Sequence, residues 1–206
     1  IQSVMIKNLL LDMGGVILNV SYQKVIDTFK SYGIENFDKV YCQAKQVEII
    51  DLFEEGRCSA EEFRDGVRKL LDKDLTDEQI DKAWFSMILE IPKDVIQLLG
   101  LLKLKYRLFL FSNTNVLHIE YLKKEFERQL GFDLFGCVFD KAFFSNEIHH
   151  RKPHPESFSF VLNQAGIKPE ETLFIDDSKQ HLEGAEKVGL NTYWLTGGET
   201  LIDLYD

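Results

Sequence analysis

The stretch Leu9-Leu10-Leu11-Asp12-Met13-Gly14-Gly15-Val16 decides the fold. It is a short apolar run that ends on one carboxylate and turns at once through paired glycines, which reads as a buried strand carrying an acid at its tip. Alone the pattern is weak, because aspartate is a frequent turn residue. Three later segments give it weight. Ser112-Asn113-Thr114-Asn115 follows the apolar run 106–111, Phe174-Ile175-Asp176-Asp177-Ser178 closes another such run, and Lys152-Pro153 opens a helical stretch after a third.

Outward from these segments the chain changes texture twice. Residues 20 to about 92 read as helix after helix: Val25, Ile26 and Phe29 share a face, and Val47, Ile49, Ile50, Leu52 and Phe53 continue it. Ser59-x-x-Glu62, after Gly56, and Thr76-x-x-Gln79 are capping-box patterns before further apolar periodicity. From Pro92 onward, a helix over 95–104 leads into strands at 106–111, 141–145, 172–175 and 192–195. Amphipathic helices around 116–130, 155–165 and 179–188 lie between them. That alternation predicts a parallel sheet with helices on both faces. The helical block is then an insertion after the first strand, with residues 1–19 and 93–206 forming the core and 20–92 a separate helical unit.

Bulk properties narrow the function. The 206 residues, 45% of them apolar, can fill a sizeable core, and a net charge of −10 argues against a nucleic-acid backbone or an anionic membrane as partner. Cys42, Cys58 and Cys137 have neither disulfide-framework nor zinc-site spacing, which favours a reducing compartment. With no membrane span or signal peptide apparent, the expected location is cytoplasmic. Oligomeric state is left open.

In an open parallel sheet, groups placed just after separate strands converge on one crevice. Asp12, Ser112, Asn113, Asp176 and Asp177 sit at such places, with Lys152 one loop beyond a strand. Acids gathered beside a lysine suit a hard divalent cation, and the hydroxyl, amide and ammonium groups suit a bound phosphate. Such a set can carry out phosphoryl transfer, one carboxylate attacking in line while the cations neutralise developing charge. Each segment also has a plainer reading. Asp176-Asp177 can be a strand-end turn and Ser112-Asn113 a helix cap, while His149, His150 and His154 read as solvent-facing loop residues. Phe143-Phe144 and Trp84 read as packing residues.

Taken together, D-x-x-x-V at Asp12, S-N-T-N at Ser112, R-K-P-x-P at Arg151 and the strand ending D-D at Asp176 resemble the four motifs of the haloacid dehalogenase-like hydrolases, in order and over nearly the whole chain. The resemblance implies an α/β Rossmann-like three-layer core with an inserted α-helical cap. It implies Asp12 as a nucleophile forming an aspartyl-phosphate on a small phosphorylated substrate, and Mg²⁺ held by Asp12, the Gly14 carbonyl and Asp176, with Asp177 supporting. Lys152 would link nucleophile and phosphate, and Ser112 with the Asn113 backbone would hold phosphate oxygens. Specificity would lie in the cap, with Tyr22, Tyr41, Glu48 and Phe53 as edge candidates.

One departure matters. Phosphatases of this family usually carry a second aspartate two residues after the nucleophile, and here that position is Gly14. The missing group is the general acid for the leaving alcohol, a contribution of about 10²–10⁴-fold. His181, where many relatives have asparagine, is a milder departure with no role assigned. Three readings follow. The chain is similar to the α-D-glucose-1-phosphatase-like branch, which shares D-x-G and an S-N-T-N followed by a histidine, as at His118; it would then act on substrates such as sugar 1-phosphates whose leaving groups need little protonation. It is alternatively a phosphate-binding or regulatory module of little turnover. The third reading is a hydrolase of different chemistry, such as carbon–halogen or carbon–phosphorus cleavage.

Overall fold

A computed structural model describes residues 4–37 and 48–205. Tyr41, Cys42 and Val47 lie outside them. Five strands form one parallel sheet: β1 (Asn8–Leu11), β2 (Arg107–Ser112), β3 (Lys141–Phe144), β4 (Thr172–Asp176) and β5 (Asn191–Trp194), in the order β3-β2-β1-β4-β5. The chain therefore starts in the middle, builds outward to one edge, then returns to build the other. Such a reversal is a topological switch point, where a crevice opens beyond the strand ends. In the register, Leu11 stands opposite both Leu110 and Ile175. The next residue, Asp12, donates its N–H to the Ile175 carbonyl at 3.0 Å. The ends of β2, β1 and β4 are thus level.

The apolar runs suit a sheet covered on both faces. Leu9, Leu11, Leu108, Leu110 and Ile175 face one layer, formed with α5 (Lys93–Leu102), α6 (Val116–Leu130), α7 (Leu134–Val138) and α11 (Leu201–Tyr205). Leu10, Phe109, Phe111, Phe143 and Phe174 face the other, under α9 (Pro155–Ala165) and α10 (Lys179–Glu186). Phe143 and Phe144 are core residues, as their sequence context suggested.

Among the described residues between β1 and α5, the helices are α1 (Tyr22–Ser31), α2 (Glu48–Glu54), α3 (Ala60–Leu71) and α4 (Asp77–Phe85). Both capping boxes form, Ser59 with Glu62 and Thr76 with Gln79, each satisfying two end N–H groups reciprocally. These helices close around a cluster of their own: Val25, Phe29, Phe53, Phe63, Ile80 and Trp84, joined by Leu117 from α6. The chain leaves and re-enters the sheet through two antiparallel segments, with Ser21 N–H donating to the Met87 carbonyl at 2.8 Å and Leu89 N–H to Asn19 at 3.0 Å.

The block meets the sheet layers along two seams. At one, the Trp84 indole stacks on the His118 imidazole, with centroids 5.0 Å apart and planes at 7°, and Phe85 stacks on Tyr121. At the other, the end of α2 meets α8 (Ser145–Ile148) and its following loop. Gly56 passes so close there that a Cβ would fall 2.0 Å from the Asn146 carbonyl oxygen, at a backbone φ of +68° that favours glycine anyway.

Candidate active site

Lys152 organises the site. Its side chain is fully buried, and Nζ donates to Asp12 Oδ1 and Asp176 Oδ2, both at 2.8 Å. The ammonium group lies 5.3 Å from the Phe111 ring centroid and 5.4 Å from that of Phe174, so the two strands flanking β1 supply its walls. Its backbone is held by Asn113, whose Oδ1 accepts the Lys152 N–H and whose Nδ2 donates to the Lys152 carbonyl, each at 2.9 Å. The Asn113 side chain is therefore occupied, leaving its backbone as the part that can serve a ligand.

The charge pattern is unbalanced: two buried carboxylates share one ammonium. Burial raises the Asp12 carboxyl to about 6 against the pull of Lys152, and Asp176 adds to the rise. Asp176 is buried too, but Lys152 and the His181 contact outweigh that and hold it well below the ordinary carboxylate range. It also accepts the Ser178 N–H on Oδ1 at 2.7 Å and faces His181 Nδ1 from Oδ2 at 2.9 Å. Burial alone would lower Lys152, yet the two acids keep it above its usual value. A further positive charge would let Asp12 ionise fully beside Asp176.

The donor set fits a hard cation of that kind. Ligand atoms of Asp12, Asp176 and His181 lie within 4.8 Å of one another. The carbonyl of Gly14, a residue lining the same cavity, accepts no hydrogen bond among the described residues. Two carboxylates and a free carbonyl are the oxygen-rich ligation that Mg²⁺ favours, whereas His181, already bonded to Asp176, is better suited to orienting that carboxylate.

Above Asp12 opens a cavity of about 530 Å³ lined by, among others, Gly14, Ser112, Asn113, Thr114, Asp177 and Ser178. The sequence-predicted residues are thus brought together, with Lys152 and Asp176 beneath Asp12. Ser112 and Asn113 do not cap the next helix; Asn115 does, its Oδ1 accepting the His118 N–H at 3.0 Å. Among the described residues the Ser112 hydroxyl makes no bond of normal length, its contact with the Asn113 carbonyl lying at 3.5 Å.

The paired glycines differ in what their positions require. Gly15 has a φ of +80°, and a Cβ there would lie 2.1 Å from Asp177 Oδ2, so a side chain is excluded. Gly14 has no such need: a Cβ would meet only the Val20 methyls at 3.4 and 3.7 Å, ordinary contact. The backbone tolerates a side chain where the usual acid is missing.

Three cavity residues were not singled out as functional in the sequence. His181 contacts Asp176, and Glu54 with Arg151 forms an ion pair at the rim between the helical block and the sheet layers. Of the four edge candidates, Tyr22 lines the cavity, Phe53 is buried in the helical cluster, and Glu48 is not among the lining residues. Among the described residues, His149, His150 and His154 form no ligand cluster; His149 Nδ1 instead lies 2.8 Å from the Glu55 carbonyl.

His118 joins the first seam to the site. Nε2 lies 3.0 Å from the Trp84 carbonyl and Nδ1 3.2 Å from Asn115 Nδ2, so a neutral ring donating from Nε2 and accepting at Nδ1 satisfies both partners. Burial lowers its pKa to about 4. The unfolded value is near 6.5, so between about 6.5 and about 4 the unfolded chain binds more protons, and stability falls as pH falls through that window, by about 3 kcal/mol in all. Urea unfolding at pH 7 and pH 5 is expected to show the wild type losing about 2 kcal/mol more than His118→Asn. Equal losses would place the titration elsewhere.

A family model described as haloacid dehalogenase-like hydrolase matches residues 6–189. The chain is 33% identical over 191 residues to D-ribitol-5-phosphate phosphatase of Bacteroides thetaiotaomicron, covering 92% of this chain and 91% of that one. It superposes on a haloacid dehalogenase family enzyme of the same organism, solved with magnesium and inorganic phosphate, at a TM-score of 0.89 and 37% identity, over 98% of this chain and 100% of the other. An aspartate-to-alanine mutant of that enzyme was also solved with magnesium and phosphate. A hydrolase of the same type from Porphyromonas gingivalis superposes at 0.85 with 32% identity, over 95% and 93% of the two chains. No described helix is long and apolar enough to cross a membrane.

Proposed function

The chain belongs to the haloacid dehalogenase-like hydrolases, and from that premise we propose that it is a Mg²⁺-dependent phosphatase of small phosphorylated metabolites, with sugar and polyol phosphates as the substrate class. The observation that carries this reading is the buried Lys152 bridging Asp12 and Asp176 at 2.8 Å each, beneath a cavity lined by Ser112 and Asn113. A bridged acid at a strand tip, under a pocket with hydroxyl and backbone donors, is a place to bind and attack a phosphoryl group. The name of the Bacteroides relative supports the polyol end of the class.

In the proposed reaction Asp12 attacks phosphorus in line, the phosphate–oxygen bond to the leaving group breaks, and water then hydrolyses the aspartyl-phosphate. Lys152 neutralises charge on Asp12 and on the transferring group, while the Ser112 hydroxyl and Asn113 N–H orient phosphate oxygens. Asp12, the Gly14 carbonyl and Asp176 would hold Mg²⁺, with Asp177 in support. Bound there, the ion supplies charge neutralisation for phosphate and for the acid pair. Residues 20–92 act as a cap that excludes water from the cavity, and 1–19 with 93–206 as the core.

Gly14 leaves the leaving group without the usual proton donor. Phosphate release is therefore expected only with Mg²⁺, and faster for anomeric, acyl or aryl phosphates than for simple alkyl phosphates of similar size. A colorimetric screen over sugar 1-phosphates, sugar and polyol 5- and 6-phosphates, acyl phosphates and an aryl phosphate checks this. Silence on all of them, with phosphate still bound, would favour the binding-module reading. Because Gly14 accommodates a Cβ, Gly14→Asp is expected to fold and to raise turnover on alkyl phosphates by about tenfold or more. A folded variant with unchanged turnover would show that proton donation is not what position 14 lacks.

A further inference from the structure

The phosphate chemistry leaves one charged pair in the cavity without a task. Glu54 is the last residue of α2 and Arg151 immediately precedes Lys152, 97 residues away in sequence, yet both line the cavity above Asp12. Arg151 Nε and Nη2 both donate to Glu54 Oε2, at 3.1 and 2.5 Å, and Nη1 lies 3.1 Å from Asp51 Oδ1. Two carboxylates thus share one guanidinium, and the rim keeps a net negative charge. Glu54 Oε1 has no hydrogen-bond partner among the described residues, although its side chain is only 19% exposed. Glu54 lies in the cavity wall, so this oxygen can take donors from water or from a ligand.

The position is also firmly held. Immediately after Glu54, the Glu55 carbonyl faces His149 Nδ1 at 2.8 Å, and Gly56 lies against the Asn146 carbonyl. Beyond the phosphate floor, the cavity wall carries the apolar side chains of Leu18, Val20, Met87, Ile88 and Leu122 beside the Tyr22 ring. His118, which also lines it, has both ring nitrogens engaged by Asn115 and Trp84. Hydroxyl groups on a leaving group therefore find their strongest acceptor above the phosphate floor at Glu54.

We propose that Glu54 determines leaving-group specificity, accepting hydrogen bonds from hydroxyls of a neutral polyhydroxy leaving group and rejecting anionic ones, with Arg151 as its positioning residue. This rests on the phosphatase reading. A site built to pair with substrate hydroxyls discriminates strongly, because the wrong substrate leaves a buried polar group unpaired, and a second anion adds like-charge repulsion.

The test compares two phosphates of the same five-carbon skeleton, D-ribitol 5-phosphate and D-ribonate 5-phosphate, the second of which carries a carboxylate on its leaving group. In Glu54→Gln the ratio of kcat/KM for the first over the second is expected to fall by about tenfold or more, and Glu54→Asp, which keeps the charge, to restore part of it. An unchanged ratio in Glu54→Gln overturns the proposal. Calorimetry with Mg²⁺ in an Asp12→Ala background gives a readout without turnover: the affinity for ribitol 5-phosphate relative to inorganic phosphate should fall by about tenfold on adding Glu54→Gln. If the wild type hydrolyses neither these esters nor any other phosphate of the screen while this binding ratio falls, the phosphatase reading fails and the role of Glu54 stands. A binding ratio that holds removes Glu54 from specificity whatever the turnover.

Discussion

Asp12→Asn is expected to reduce Mg²⁺-dependent phosphate release by about 10⁴-fold or more on every substrate the wild type accepts, since removing a nucleophile costs a covalent enzyme nearly all of its catalytic advantage. The change should not destabilise the protein. Asp12 is a buried carboxyl raised to about 6, so part of its electrostatic environment opposes the ionised form that chemistry needs. An amide of the same shape has no charge to bury, and melting temperature is expected to hold or rise, a trade of stability for reactivity common at active sites. Retained turnover in Asp12→Asn would remove this residue from the chemistry. Loss of both turnover and folding would mean that the substitution reports on structure instead.

Lys152→Met is expected to have the opposite signature, losing activity and stability together. Without the ammonium, Asp12 and Asp176 are left in a buried site with no cation between them. Breaking a buried ion pair by removing one partner costs about 3–5 kcal/mol. For a chain of this length that corresponds to a fall in melting temperature of about 6–20 °C. Mg²⁺ should recover part of the loss, because an ion bound only to the folded state stabilises it by mass action. Calorimetric melts of the variant with and without Mg²⁺, beside Asp12→Asn, make the comparison. A variant as stable as the wild type in the absence of metal would contradict the charge balance drawn from these three side chains.

Much of the architecture was legible because the sheet is buried on both faces. Runs such as Leu9–Leu11 and Leu108–Phe111 stand out as unbroken apolar stretches, and each ends abruptly on a polar residue. Long amphipathic helices were equally clear: 116–130 and 155–165 coincide with α6 and α9. The strand expected over 141–145 stops at Phe144, since Ser145 turns into α8 and its hydroxyl accepts the Thr114 N–H. Short elements such as α7, α8 and α11 span too few residues to display a period. Strand order was not legible either, because it depends on where each crossover lands.

The site divides along similar lines. Residues at strand tips were found, since position along an element is written locally. Glu54, Arg151 and His181 owe their place to proximity: Glu54 meets Arg151 across 97 residues of chain. Its neighbour Phe53, chosen as an edge candidate, points instead into the helical cluster. A helical turn changes direction by about 100° per residue, so the choice between adjacent positions requires knowing which face meets the sheet.

The stacked pair at the first seam has a practical consequence. Only two tryptophans occur in the chain, and Trp194, on β5, is half-exposed, whereas Trp84 lies face to face with His118 across the boundary between helical block and sheet layers. Any motion that parts the two sides must unstack the indole and break the hydrogen bond to its carbonyl. The protein thus carries an intrinsic fluorophore at the joint itself. In a Trp194→Phe background, emission during a stopped-flow mixing experiment would time the opening of that joint without an attached dye.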